Sequence, residues 1–290
     1  MRIRATVAAV SGALALSALV VPAAQADSQG AVSLDRPSIA ERFGTSSARS
    51  AFGAAATPTV SGVTVNAGKD IVLGTTVAKT ISVSLTASHA SGIEDAYIDL
   101  WHGPDVDNAD GFLPPSGDTA TCTASSATTS KCKLTIPVAP GLNTEDGIGD
   151  LYANALAGTW HVSVGALSKD GEVYYTDYYK THRIQRLSKL TVNAAPEPVK
   201  KGKTITVTGK LSRANWETRT YAGYSTQPVK LQFRKANSST YTTVKTIKTN
   251  STGNLSTTVT ASVDGYFRYS FAGTSTTPAV TTAGDYVDVR

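Results

Sequence analysis

The sequence predicts an all-β protein built as two tandem antiparallel β-sandwiches, and three observations carry that prediction. Apolar and polar residues alternate with period two, as in Ile81, Val83 and Leu85 set between Ser82, Ser84 and Thr86, which is the pattern of a strand with one buried face. Thr, Ser, Val and Tyr are abundant, and no long stretch repeats with the 3.6-residue helical period. The chain also repeats itself. Val63-Thr64-Val65-Asn66-Ala67 is echoed by Leu190-Thr191-Val192-Asn193-Ala194 at an offset of 127, and Lys79-Thr80-Ile81-Ser82-Val83 by Lys203-Thr204-Ile205-Thr206-Val207 at 124. A third echo, Gly158 to Val164 against Gly265 to Phe271, has an offset of 107. Kept strands with loops of changing length describe one unit used twice.

The 290 residues suit about two domains of ordinary size. Residues 1–26 read as an export signal. Arg2 and Arg4 supply the charged start, Val7 to Val21 the apolar stretch, and Ala24-Gln25-Ala26 a small-x-small cleavage site. The mature chain is expected to begin at Asp27, with no membrane span after it, and to be secreted, extracellular or loosely attached to the cell wall. Residues 27–57 mix Ser, Ala and Arg with few large apolar residues and read as a flexible leader; a helical turn after Pro37, through Ile39 and Phe43, is too short to stand alone.

The first sandwich is expected over 58–186. Its strands include Ala96 to His102, a hairpin of Ala120 to Thr123 with Lys131 to Ile136, and a pair, Thr159 to Leu167 and Glu172 to Tyr179. Asp170-Gly171 in that last pair supplies the positive φ of a tight turn. Thr181 to Ser188 contains neither Gly nor Pro and predicts a stiff junction. The second sandwich, over 187–290, has strand candidates at Thr204 to Leu211, Val229 to Arg234, Tyr241 to Ile247, Leu255 to Ala261, Tyr266 to Phe271 and Asp285 to Val289.

Cys122 and Cys132, the only cysteines, have nine residues between them in an exported chain, which predicts a structural disulfide closing a hairpin. Charge is divided unevenly. Residues 57–186 carry 8 Lys and Arg against 14 Asp and Glu, a net −6, and residues 187–290 carry 14 against 5, a net +9. Lys200, Lys201, Lys203, Lys230, Arg234, Lys245 and Lys248 would then either form a basic face attractive to anionic cell-wall polymers or polysaccharides or only keep the domain soluble and blunt its strand edges; no nucleic-acid motif is present.

At the repeated strand pair and the Gly-x-aromatic strand, both halves resemble bacterial immunoglobulin-like modules. PVKLQFRK and the ending YSFAGTSTTPAVTTAGDYVDVR resemble the second domain of secreted actinobacterial proteins with two tandem modules. The resemblance covers about residues 60–290 and implies fold and export. It brings no catalytic motif to carry over.

Chemistry has few candidates. There is no G-x-S-x-G elbow, and His89, His102, His161 and His182 follow no metal-binding spacing. In Asp105-Val106-Asp107-Asn108-Ala109-Asp110-Gly111, the carboxylates of Asp105, Asp107 and Asp110 could surround Ca²⁺, or simply form a solvated acidic loop; the spacing departs from an EF-hand, with Ala109 at the fifth position. The Ser212 to Gln227 loop interleaves Arg213 and Arg219 with Trp216, Tyr221 and Tyr224, residue types that either stack on sugars and partner side chains or cap the sandwich core. The expectation is a non-catalytic extracellular binding or spacer module without a required cofactor, with calcium binding as the alternative and a polymer, polysaccharide or protein as partner.

Overall fold

The computed structural model describes residues 34, 36–43 and 56–290. The export signal expected over 1–26 lies outside the described residues. The first sandwich comprises β1 (Thr59–Val65), β2 (Ile71–Leu73), β3 (Lys79–Ser88), β4 (Ile93–His102), β5 (Gly111–Leu113), β6 (Thr121–Ala124), β7 (Thr129–Pro140), β8 (Asp150–Leu151), β9 (Gly158–Ser168) and β10 (Val173–Arg186). One sheet runs β1-β3-β7-β6, with β8 joined to β7, and the other β2-β10-β9-β4-β5. Pairing is antiparallel apart from β2 on β10 and β8 on β7. With strands lettered in chain order, this is an A-B-E-D sheet facing a G-F-C sheet, the immunoglobulin-like arrangement.

Alternation puts Ile81, Val83 and Leu85 of β3 into a shared core with Ile98 and Leu100 of β4 and Val162 and Val164 of β9. The turn between β9 and β10 depends on Gly171 at φ +87°, where a side chain would be strained. Asp170 accepts hydrogen bonds from the hydroxyls of Ser168 and Ser91, and these hold its carboxyl below the usual range. Cys122 and Cys132 face each other across β6 and β7 with Cα atoms 4.0 Å apart and are joined as a disulfide. This cystine links neighbouring strands of one sheet, whereas antibody domains bridge their two sheets.

The second sandwich comprises β11 (Ser188–Leu190), β12 (Asn193–Ala195), β13 (Thr204–Asn215), β14 (Thr220–Gly223), β15 (Pro228–Lys235), β16 (Thr242–Lys248), β17 (Asn254–Thr260), β18 (Gly265–Phe271), β19 (Val280–Thr281) and β20 (Asp285–Val287). Here β13 pairs with β11, β12, β14 and β17, while the facing sheet runs β16-β15-β18-β19, with β20 also on β18. Its core joins Ile205, Val207, Val229, Leu231, Phe267 and Phe271. Tyr269 crosses that core to donate to the Val207 carbonyl at 2.9 Å, and burial pushes its hydroxyl up to about 12. A Cβ on Gly209 would run into the Thr191 carbonyl and the Tyr269 ring, so this crossing requires glycine.

Only Leu187 separates β10 from β11. The backbone therefore passes from one sandwich to the next as nearly continuous strand. The far end of β13 and β14 form a hairpin that reaches back onto the first sandwich, where Ala214 and Trp216 are members of the first core and not the second. The Trp216 indole is fully buried and donates to the Gly74 carbonyl at 3.0 Å. Asn154 bonds Asn215 and the Trp216 amide, and the Arg186 guanidinium donates to the Ala214 carbonyl at 2.6 Å. Burial beside Arg213 lowers Arg186 to about 10.

Candidate binding face

A strand on a two-layer sandwich should bury one face and wet the other, and β4 does not. Ala96, Ile98 and Leu100 enter the core. The alternate residues Tyr97, Asp99 and Trp101 point to the opposite side, yet they are 3%, 0% and 0% exposed. Phe112, opposite Trp101 on β5, and Ser163 on β9 are buried in the same way.

The cover is the segment 36–43, which corrects the expectation of a flexible leader over 27–57 for these residues. Ser38 and Glu41 form a reciprocal capping box: the Glu41 amide donates to the Ser38 hydroxyl at 3.3 Å and the Ser38 amide to the Glu41 carboxylate at 2.7 Å. They start the one-turn helix α1 (Ile39–Phe43). So short a helix is marginal in water; Arg36 before it and Arg42 and Phe43 within it hold it on the sheet. Phe43 lies over Gly165 so closely that a Cβ there would sit 2.9 Å from its ring.

Arg36 makes the principal contact. One of its terminal nitrogens lies 3.0 Å from Asp99 Oδ2 and 2.9 Å from Ser163 Oγ, and the other 3.1 Å from Asp177 Oδ1. Its guanidinium carbon is 5.7 Å from the Trp101 ring centre and 5.3 Å from that of Phe112, within cation–π range. Arg42 stacks 3.6 Å from the Tyr97 ring centre and 4.0 Å from Asp99. Desolvation opposes the Arg36 charge, and attraction to Asp99, Tyr175 and Asp177 overcomes it and raises the group above its ordinary value. Burial, reinforced by Asp99, likewise raises the Tyr97 and Tyr175 hydroxyls, so both stay protonated and donate, to Asp99 at 2.8 Å and Asp177 at 2.7 Å.

An open aromatic rim adjoins this covered centre. His161 stacks on Trp101 at 4.2 Å, and Tyr178, 53% exposed, meets both edge-on. Desolvation, with His102 nearby, lowers the His161 pKa, so its ring is neutral at pH 7.

The residues singled out from the sequence lie elsewhere. Asp105 spends one oxygen on capping its own loop, accepting from the amides of Asp107 and Asn108, and Asp110 pairs with His102 at 2.5 Å. Among the described residues, no group of three or more His, Cys, Asp or Glu side chains stands where it could hold a metal ion. The three aspartates are therefore not brought together as a calcium cage. Of the two readings of the loop of aromatics and arginines, the core-capping one describes the aromatics here. Trp216 belongs to the junction, and Tyr221 lies under Lys189 at 3.7 Å. Tyr224 packs on the second core beneath Arg213 at 3.9 Å, and Arg219 donates to Leu142 and Asn143 of the first sandwich. Trp216, Tyr221 and Arg219 thus reach onto the first sandwich, while Arg213 and Tyr224 stay within the second. The basic residues are exposed as expected for Lys200, Lys201, Lys203, Lys230, Lys245 and Lys248, while Arg234 is half-buried against Tyr266.

Sequence reasoning missed the covered face, although β4 carried a signal. Ala96-Tyr97-Ile98-Asp99-Leu100-Trp101 is aliphatic on one side and carries two large aromatics around Asp99 on the other, so neither side reads as an ordinary solvent face.

No protein-family model matches the chain, and no curated protein matches it. Among solved structures, dimeric latent PorU from Porphyromonas gingivalis aligns over 81% of this chain at 11% identity and a TM-score of 0.26. The D00-D0 domain of intimin aligns over 78% of this chain and 98% of its own length at 14% identity and 0.26. The mouse nectin-like molecule 4 ectodomain aligns over 81% of this chain and 65% of its own at 13% and 0.23. The chain spans about a fifth of the PorU chain it matches. At these scores the likenesses bear on no activity and no partner, and the immunoglobulin-like assignment rests on strand order.

Proposed function

We propose that the chain is a non-catalytic extracellular protein of two immunoglobulin-like modules, akin to secreted actinobacterial two-module proteins, that holds two unlike surfaces in fixed relation. The observation that carries this reading is the junction. A free linker would let the modules tumble, whereas Trp216, Asn154 and Arg186 tie them through a shared core and directional bonds. A spacer needs that stiffness. The exposed lysines of the second module face solvent and suit an anionic wall polymer or acidic polysaccharide.

Attraction of this kind is screened as the Debye length falls from about 10 Å at 0.1 M salt to about 3 Å at 1 M. The test is retention of the mature chain on whole cells and on an anionic-polymer column. Retention is expected at low salt, with elution below 1 M and loss of binding when Lys200, Lys201, Lys230 and Lys245 are changed to Glu. Retention that survives both changes would overturn the polymer assignment.

A further inference from the structure

We infer that the outer face of β4, β5, β9 and β10 is a recognition site for an arginine-bearing segment of a partner protein, and that the chain's own residues 36–43 occupy it as an exchangeable plug. Two carboxylates, Asp99 and Asp177, converge on one guanidinium, which lies within cation–π distance of Trp101 and Phe112. Two carboxylates with aromatic walls are the chemistry that selects a planar, delocalised cation over a compact ammonium. The site is also built without regard to the plug. Tyr97 and Tyr175 donate to the two aspartates, Ser163 donates to Asp177, and the Trp101 indole donates to the Asp177 carbonyl. The first three bonds orient the carboxylates and the last anchors the Asp177 backbone, all through residues of the sheet alone.

The plug fits imperfectly. Among the described residues, Arg36 Nε and one terminal nitrogen of Arg42 are buried with no hydrogen-bond partner, a cost that a competing segment whose own donors are all satisfied would not bear. Outside the single turn of α1, the occupant is held by side chains and not by strand addition to the sheet. A partner segment therefore has to present an arginine at the Asp99 position, and a second arginine six residues on would reach Tyr97 as Arg42 does. The exposed Tyr178 and the half-buried His161 beside the plug offer further contact area to a longer segment.

This inference rests on the binding-module reading but fails separately from it, because cell or polymer retention through the second module does not require the first-module face. The test uses the full mature chain and a labelled synthetic peptide of residues 36–43. A chain carrying Arg36→Ala and Arg42→Ala, which releases the plug, should bind the peptide at least tenfold more tightly than the unaltered chain. Adding Asp99→Asn to the released chain should remove that gain, and a peptide with Ala in place of its first arginine should not bind. Equal affinity of released and unaltered chains, or binding indifferent to Asp99, overturns the site. Should the released variant fail to fold, the unaltered chain decides: millimolar peptide should accelerate hydrogen exchange over 36–43, and unchanged exchange overturns the plug.

Discussion

The equivalent strands β4 and β15 occupy the same place in their sandwiches, yet their outward faces have opposite fates. On β4 the outward set is Tyr97, Asp99 and Trp101, all buried; on β15 it is Lys230, Gln232 and Arg234, from exposed to half-buried. Each set matches its environment. A carboxylate at full burial is sustained only by a paired cation and donated hydrogen bonds, and Asp99 has Arg36, Tyr97 and Ser163 close by. Lys230 needs only water. The fold dictates which residues point outward, and what covers them is decided by a segment that belongs to neither sheet.

The largest change should come from the element that unites the two modules. Trp216→Ala leaves a void at full burial and is expected to cost about 3–5 kcal/mol, and calorimetry should then resolve two transitions in place of one coupled unfolding. A single unaltered transition would show that the junction contributes little. Asp99→Asn leaves the buried Arg36 charge with Asp177 as its one carboxylate partner and should cost about 3 kcal/mol, detected as a lower denaturation midpoint. Lys230→Gln at the matching strand should stay within about 0.5 kcal/mol. Equal effects at the two positions would dissolve the contrast. Removing the disulfide by Cys122→Ser with Cys132→Ser should cost about 2–3 kcal/mol for so short a loop, confined to the first module; intact-mass measurement with alkylation checks that no free thiol precedes reduction.

A smaller effect separates the modules by pH. All four histidines lie before residue 187. Desolvation, the leading cause at both sites, lowers His161 and His182 from the ordinary value of 6.5. The unfolded chain accepts a proton that these folded sites resist. Their contribution to stability is therefore present above about pH 6.5 and drains away as pH falls from there through the folded values. In the uncoupled Trp216→Ala chain, between pH 7 and 5, the first-module transition should fall in temperature and the second, with no histidine, should hold. A parallel decline of both would exclude this cause.

Much of the fold was legible because period-two alternation and turn chemistry are local. Ile81, Val83 and Leu85 lie in the core as their spacing requires, Asp170-Gly171 makes the turn, and Cys122 meets Cys132 across one strand pair. The covered face was not, because Arg36 and Asp99 are 63 residues apart and no local rule pairs them. The Trp216 loop left two readings open for a related reason. Aromatics interleaved with arginines describe a surface that wants a partner, but not whether the partner is another molecule or the other half of the same chain. The acidic loop shows the limit of counting oxygens, since Asp105 turned one of its own to backbone amides and Asp110 went to a histidine.

The parallel pairing of β2 with β10 has a mechanical consequence. Ile71, Val72 and Leu73 lie beside Ile184, Gln185 and Arg186, and the Leu187 amide adds a further bond to the Leu73 carbonyl. Because β10 runs straight on into the second module, tension drawn between β2 and that module pulls the two strands lengthwise past each other. The hydrogen bonds are then loaded together in shear and cannot be unzipped one at a time. With the Trp216 indole bonded to Gly74 at the end of β2, the joint that fixes the geometry also lies on the path along which a pulling force would travel.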